Sequence, residues 1–137
     1  MSKSLFSIVS ISEALKTVTP WLNSNINSAS ELIKYFEQRK KDWFALPDWE
    51  DLGDLDIYER IANNIVPNGK IYIICESSYK DNSGSYLMNA TDIKTFINNH
   101  LCHFKECLFN GDVLIFGAEQ HLIWLFHHEG LYGRFYE

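Results

Sequence analysis

Apolar residues follow two patterns along the chain, and the two separate by position. In the first half they recur at helical spacing behind capping residues. Ser10 with Glu13 and Ser28 with Glu31 each match the capping box, in which two side chains satisfy orphan amides reciprocally. The first box predicts a helix running to about Pro20. The second predicts a helix over "ASELIKYFEQRKKD", with Leu32, Ile33 and Phe36 on one face and an end near Asp42. Asp56, boxed by Glu59, opens a third helix that buries Ile57, Ile61 and Ile65 before Pro67 stops it. A fourth follows Thr91, where Ile93, Phe96, Ile97, His100, Leu101 and Phe104 stand at helical spacing.

The second pattern is the short continuous apolar run, which predicts strands. "KIYIICE" (70–76) reads as a central strand, and "SYLMN" (85–89) follows the turn "KDNSG" as its hairpin partner. "DVLIF" (112–116), "HLIWLF" (121–126) and "LYGRFY" (131–136) predict a C-terminal meander whose last turn holds Glu129 and Gly130. The expected fold is therefore α+β. N-terminal helices lead into a mostly antiparallel sheet with one inserted helix, all in a single domain over 1–137. No internal repeat or low-complexity segment interrupts it.

Composition sharpens this picture in one place. A chain of 137 residues with 46% hydrophobic content supports a true core, and a formal charge of -6 argues against direct nucleic-acid binding. That charge is not spread evenly. Asp42, Asp48, Glu50, Asp51, Asp54, Asp56 and Glu59 place seven of the 18 acids between residues 42 and 59, where there is no basic residue. The other 11 acids stand against 12 bases, so the remainder of the chain sums to +1. Trp43, Phe44 and Trp49 interleave with these carboxylates; the rings either anchor a solvated acidic loop to the core or, with the steering charge, form an aromatic anchor suited to a cationic partner. The longest purely apolar run near the C-terminus, "LIWLF", is too short to span a membrane. The first residues do not read as a signal peptide. Cys75, Cys102 and Cys107 form no disulfide framework, and a cytoplasmic location is expected.

Three constellations invite a chemical reading. Counted as a calcium loop from Asp48, the acidic stretch places Gly53, Asp56 and Glu59 acceptably. Leu52, however, falls at a position that must donate oxygen, and Pro47 disturbs the entry. In "HLCHFKEC", the residues His100, Cys102, His103 and Cys107 suggest zinc, but their spacing is not a paired knuckle and His100 lies on an apolar stripe. In "HLIWLFHHEG", strand alternation predicts that His127 and His128 face opposite ways and cannot share a ligand. His121 and His127 share a face but are separated by about 20 Å along an extended strand. No nucleophile elbow, phosphate loop or HExxH is present. Neither a catalytic set nor a cofactor is expected.

The run "DVLIFGAEQHLIWLFHHEGLYGRF", with Trp124 in a strand and His128-Glu129-Gly130 in a turn, resembles the C-terminal part of small bacterial immunity proteins. These belong to contact-dependent inhibition and related polymorphic toxin systems, and the resemblance spans roughly residues 70 to 136. It implies a protein that binds and neutralises the C-terminal domain of a cognate toxin, a nuclease with a basic cleft being the expected class. The acidic stretch fits that role, with Trp43, Asp48, Trp49, Glu50, Asp51 and Asp54 as the expected partner-facing residues. The competing readings are a small metal-dependent or acid–base enzyme at the His/Cys-rich helix end and a general regulatory interaction module.

Overall fold

The computed structural model describes residues 6–22, 26, 28–37, 43–62, 68–79, 84–104, 107–117 and 122–136. Its frame is a seven-stranded antiparallel sheet in the order β1-β4-β3-β5-β6-β7-β2. The strands are β1 (Ser7–Val9), β2 (Trp43–Ala45), β3 (Lys70–Ile74), β4 (Ser85–Asn89), β5 (Val113–Gly117), β6 (Leu122–His127) and β7 (Leu131–Tyr136). The helices are α1 (Ile11–Leu15), α2 (Thr19–Leu22), α3 (Ala29–Glu37), α4 (Asp54–Ala62), α5 (Glu76–Tyr79) and α6 (Ile93–Phe104). This is the α+β class the sequence predicts. No helix among the described residues is long and apolar enough to cross a membrane.

Helices cover both faces of the sheet, which explains why its central strands read as unbroken apolar runs. Alternate residues of β3, β5 and β6 go to opposite sides, as the pleat requires. Ile71, Ile73, Val113, Ile115, Trp124 and Phe126 pack with Ile57, Ile61, Phe96 and Ile97 of α4 and α6. Ile74, Leu114, Phe116, Ile123 and Leu125 pack instead with Ala14, Leu15, Leu32 and Phe36 of α1 and α3. A strand buried on both faces has no solvent side on which to show polar alternation.

The N-terminal half departs from the prediction in three ways. It is not wholly helical, because β1 and β2 lie there and form the two edges of the sheet. Each has only three residues, too few for a periodic signal, and their pairing depends on β4 and β7, which lie much later in the chain. Second, Pro20 does not close the first helix. The α1 helix, capped by Ser10 accepting from the Glu13 amide at 3.2 Å, ends at Leu15, and Pro20 sits in the first turn of α2, where its missing N–H costs nothing. Third, α4 begins at Asp54, not Asp56, with the Gly53 carbonyl accepting from the Ile57 amide at 3.0 Å. The predicted β3–β4 pairing is present, but α5 lies between the two strands. Asp42, Ile65, Pro67 and most of the "KDNSG" turn lie outside the described residues.

Candidate functional site

The acidic segment and the β6–β7 turn are built into one surface. After β2, the chain makes a turn at Pro47–Asp48, a single 3-10 turn over Trp49–Asp51, and then enters α4. The Leu46 amide donates to the Gly130 carbonyl at 2.8 Å, tying this passage to the hairpin turn. Trp49 lies over Gly130 and meets Phe126 edge-on at 5.2 Å between centroids. Phe126 in turn meets Phe109 at the same distance. Gly130 has φ of +83°, a conformation that side chains disfavour, and a Cβ there would collide with the indole. The acidic turn is thus held by its own tryptophan against the core.

The predicted partner-facing residues divide by what they touch. Asp48, Glu50 and Asp51 are exposed, as is Asp56, and none of these four makes an ion pair among the described residues. Asp48 adopts the left-handed region at φ 57°, which Asp tolerates better than most residues. Asp54 has a different task. Its two carboxylate oxygens accept from the Leu108 and Phe109 amides at 2.7 and 3.1 Å, fastening the 3-10 turn at Leu108–Asn110 to the start of α4. Glu59 pairs with Lys94 of α6 at 3.0 Å.

Neither tryptophan presents a free ring. Trp43 is half-buried and its Nε1 donates to the Phe36 carbonyl at 2.8 Å. The large exposed aromatic of the segment is Phe44, 48% accessible on the outer edge strand. It leans on Tyr132, with the Arg134 guanidinium 5.7 Å from its ring centroid. Strand alternation around the inward Trp43 was the available signal for Phe44, but the strand itself was not legible.

Behind this surface lies a cleft of about 500 Å³ lined by Glu37, Trp43, His127, Glu129 and Leu131. At its floor the prediction about the histidines is overturned. His127 and His128 stack with centroids 4.2 Å apart and planes inclined by 28°. The alternation rule fails because β6 ends at His127. His128 already belongs to the turn closed by the Gly130 amide on the His127 carbonyl, so it is free of the pleat. His128 is oriented twice by Asp112, whose Oδ1 accepts from its backbone amide and lies 2.8 Å from its Nδ1. That hydrogen bond raises the imidazole above its ordinary pKa of 6.5; partial burial opposes the rise, and the nearby Glu129 and Glu37 charges add to it. His127 accepts from the Glu129 amide at its Nδ1, and its Nε2 faces Glu37 Oε1 at 3.5 Å. His121 lies outside the described residues.

The helix-end constellation is drawn apart. His100 is buried, with its Nε2 3.9 Å from the Cys75 sulfur and its ring edge-on to Phe96, whereas Cys102 and Cys107 are exposed. The His103 side chain lies outside the described residues. Burial and the nearby Asp54 charge push the Cys107 thiol up, away from the reactive thiolate. Cys75 and His100 form a sulfur–imidazole pair, but both are closed off from solvent, so no substrate reaches them. Comparison with known proteins adds no family: no protein-family model, curated protein or solved structure gives a significant match to this chain.

Proposed function

We propose that the chain is a stoichiometric inhibitor, an immunity protein that binds and neutralises a cognate toxin domain with a basic surface, a nuclease being the expected class. It acts by occupancy and not by turnover. The observation that supports this reading is the set of exposed carboxylates without an ion pair among the described residues: Asp48, Glu50 and Asp51 on a turn that Trp49 and Leu46 fasten to the sheet, and Asp56 in the first turn of α4. Clustered charge of one sign raises the encounter rate with an oppositely charged cleft. A turn that is already rigid loses little conformational entropy on docking. Phe44, exposed at the sheet edge, supplies the apolar contact that slows dissociation.

This reading expects a toxin domain encoded immediately upstream of this chain's gene, and the test uses that domain. Co-expression should give a one-to-one complex and protect cells from the toxin. A variant carrying D48N, E50Q and D51N should remain folded, associate about ten-fold or more slowly at low salt and protect poorly. Full protection with an unchanged association rate would remove the acidic turn from the interface. A chain that neither binds nor protects against that domain would sink the inhibitor reading itself.

A further inference from the structure

Asp112, His127 and His128 come from three local structures: the residue preceding β5, the last residue of β6 and the turn that follows. One ligand atom from each lies within 4.8 Å of the other two. We propose that these three residues form a binding site for a borderline divalent transition-metal ion, Zn²⁺ or a close analogue such as Co²⁺, with its open position facing the cleft lined by Glu37 and Trp43.

The donor set selects the class of ion. Two imidazoles and one carboxylate match the three-ligand, one-open-position pattern of zinc, whereas calcium and magnesium require an oxygen-dominated shell. Local charge agrees with a dication: Asp112 contributes one negative charge, and Glu37 stands 3.5 Å from His127. The backbone is in place before the ion arrives. The Gly130 amide bonds to the His127 carbonyl and the His128 amide to Asp112.

Two adjustments are needed. The lone pair of His127 now accepts from the Glu129 amide, so that contact must open before the ring can ligate through either nitrogen. Rings inclined by only 28° do not aim their lone pairs at a common point, so one of them must turn. His128, with its side chain 56% exposed, is the ring able to do so, while His127 at 13% is fixed. Ligands at ~2.0–2.1 Å around a tetrahedral ion are separated by roughly 3.3 Å, so atoms now up to 4.8 Å apart close by about 1–1.5 Å. The coordination bond replaces the His128–Asp112 hydrogen bond. The ion also lies beside Trp43, whose ring centroid is 6.1 Å from that of His127.

The full-length chain titrated with Co²⁺ alone should bind one equivalent. The bound ion should quench tryptophan fluorescence and show ligand-field bands without thiolate-to-cobalt charge transfer. Zn²⁺ should displace it. H128A and D112N, checked for folding by circular dichroism, should each weaken the metal by at least about 10–100-fold, the cost of losing even a partner that only orients a ligand. C102S/C107S should bind as the parent does. Charge-transfer absorption that C102S/C107S removes would overturn the proposal, as would unchanged affinity in both H128A and D112N. The absence of any stoichiometric binding to the reduced, folded protein would overturn it too. None of these outcomes depends on the toxin, so the inhibitor reading stands or falls separately.

Discussion

The indole of Trp49 occupies the space that a side chain at Gly130 would need, and through this contact the acidic turn is registered on the β6–β7 hairpin. Two costs converge on this one glycine. A non-glycine residue at φ of +83° is strained, and its Cβ would push the indole off Phe126. Gly130→Ala should therefore destabilise the fold by about 2–4 kcal/mol, measured by urea denaturation. Partner binding should weaken beyond the fraction unfolded, because the surviving native molecules carry a displaced turn. Stability within half a kcal/mol of the parent would show that the Trp49 contact is not what holds the turn.

Asp54 and Asp51 are separated by two residues and should behave oppositely when changed. Asp54→Ala strips the acceptor from the part-buried Leu108 and Phe109 amides, at a cost of about 1–3 kcal/mol. Asp51→Asn removes an exposed charge that has no ion pair among the described residues and should change stability by less than about 0.5 kcal/mol. Interface mutagenesis should leave Asp54 intact, since loss of binding in its variants would mix misfolding with lost contact. Asn is also the safer replacement at Asp48, because its left-handed backbone would strain a lysine. Equal stability losses from the two single variants, compared by thermal melts, would refute this division.

What the sequence showed and what it hid follow one physical line. The strands β3, β5 and β6 were legible because burial on both faces leaves long apolar runs that no exposed segment resembles. The edge strands β1 and β2 were hidden because three residues carry no period and their partners are distant in sequence. Of the site, the charge segregation at 42–59 was plain, since it needs only counting. That Asp54 belongs to the scaffold was not, because its partners are backbone amides more than fifty positions away. The pairing of His127 with His128 was missed for a narrower reason. Alternation holds inside a strand, and a strand end displaced by one residue reverses the conclusion.

Asp112 should raise the titration point of His128 in the metal-free chain. Because the folded value lies above the unfolded value near 6.5, the pair adds stability below pH 6.5 and loses it as pH rises through the folded value. The side chain is more than half exposed, so the effect on stability is small and the titration itself is the better readout. An NMR titration of the ring protons should place His128 above 6.5, and Asp112→Asn should return it toward that value. A His128 titration point that Asp112→Asn leaves unmoved would remove Asp112 as its cause.

Tyr58 should set the alkaline limit of the fold. Its phenol lies beneath Trp124 with 3% of the residue exposed, and burial, aided by the neighbouring Glu59 charge, pushes its pKa up to about 12 from 10.0. A neutral phenol is thus favoured in the folded state. The resulting stabilisation is complete below pH 10 and is lost between pH 10 and about 12, where the unfolded chain releases the proton first. The amount at stake is about 2–3 kcal/mol at most, set by the size of the shift. Tyr58→Phe keeps the ring and removes the titration, and the phenol makes no hydrogen bond among the described residues that the change would break. At neutral pH the variant should be nearly as stable as the parent, while its alkaline unfolding midpoint should move upward. Ultraviolet difference titration should show one fewer late-ionising tyrosine in the variant. An alkaline midpoint that does not move would assign the limit to another group.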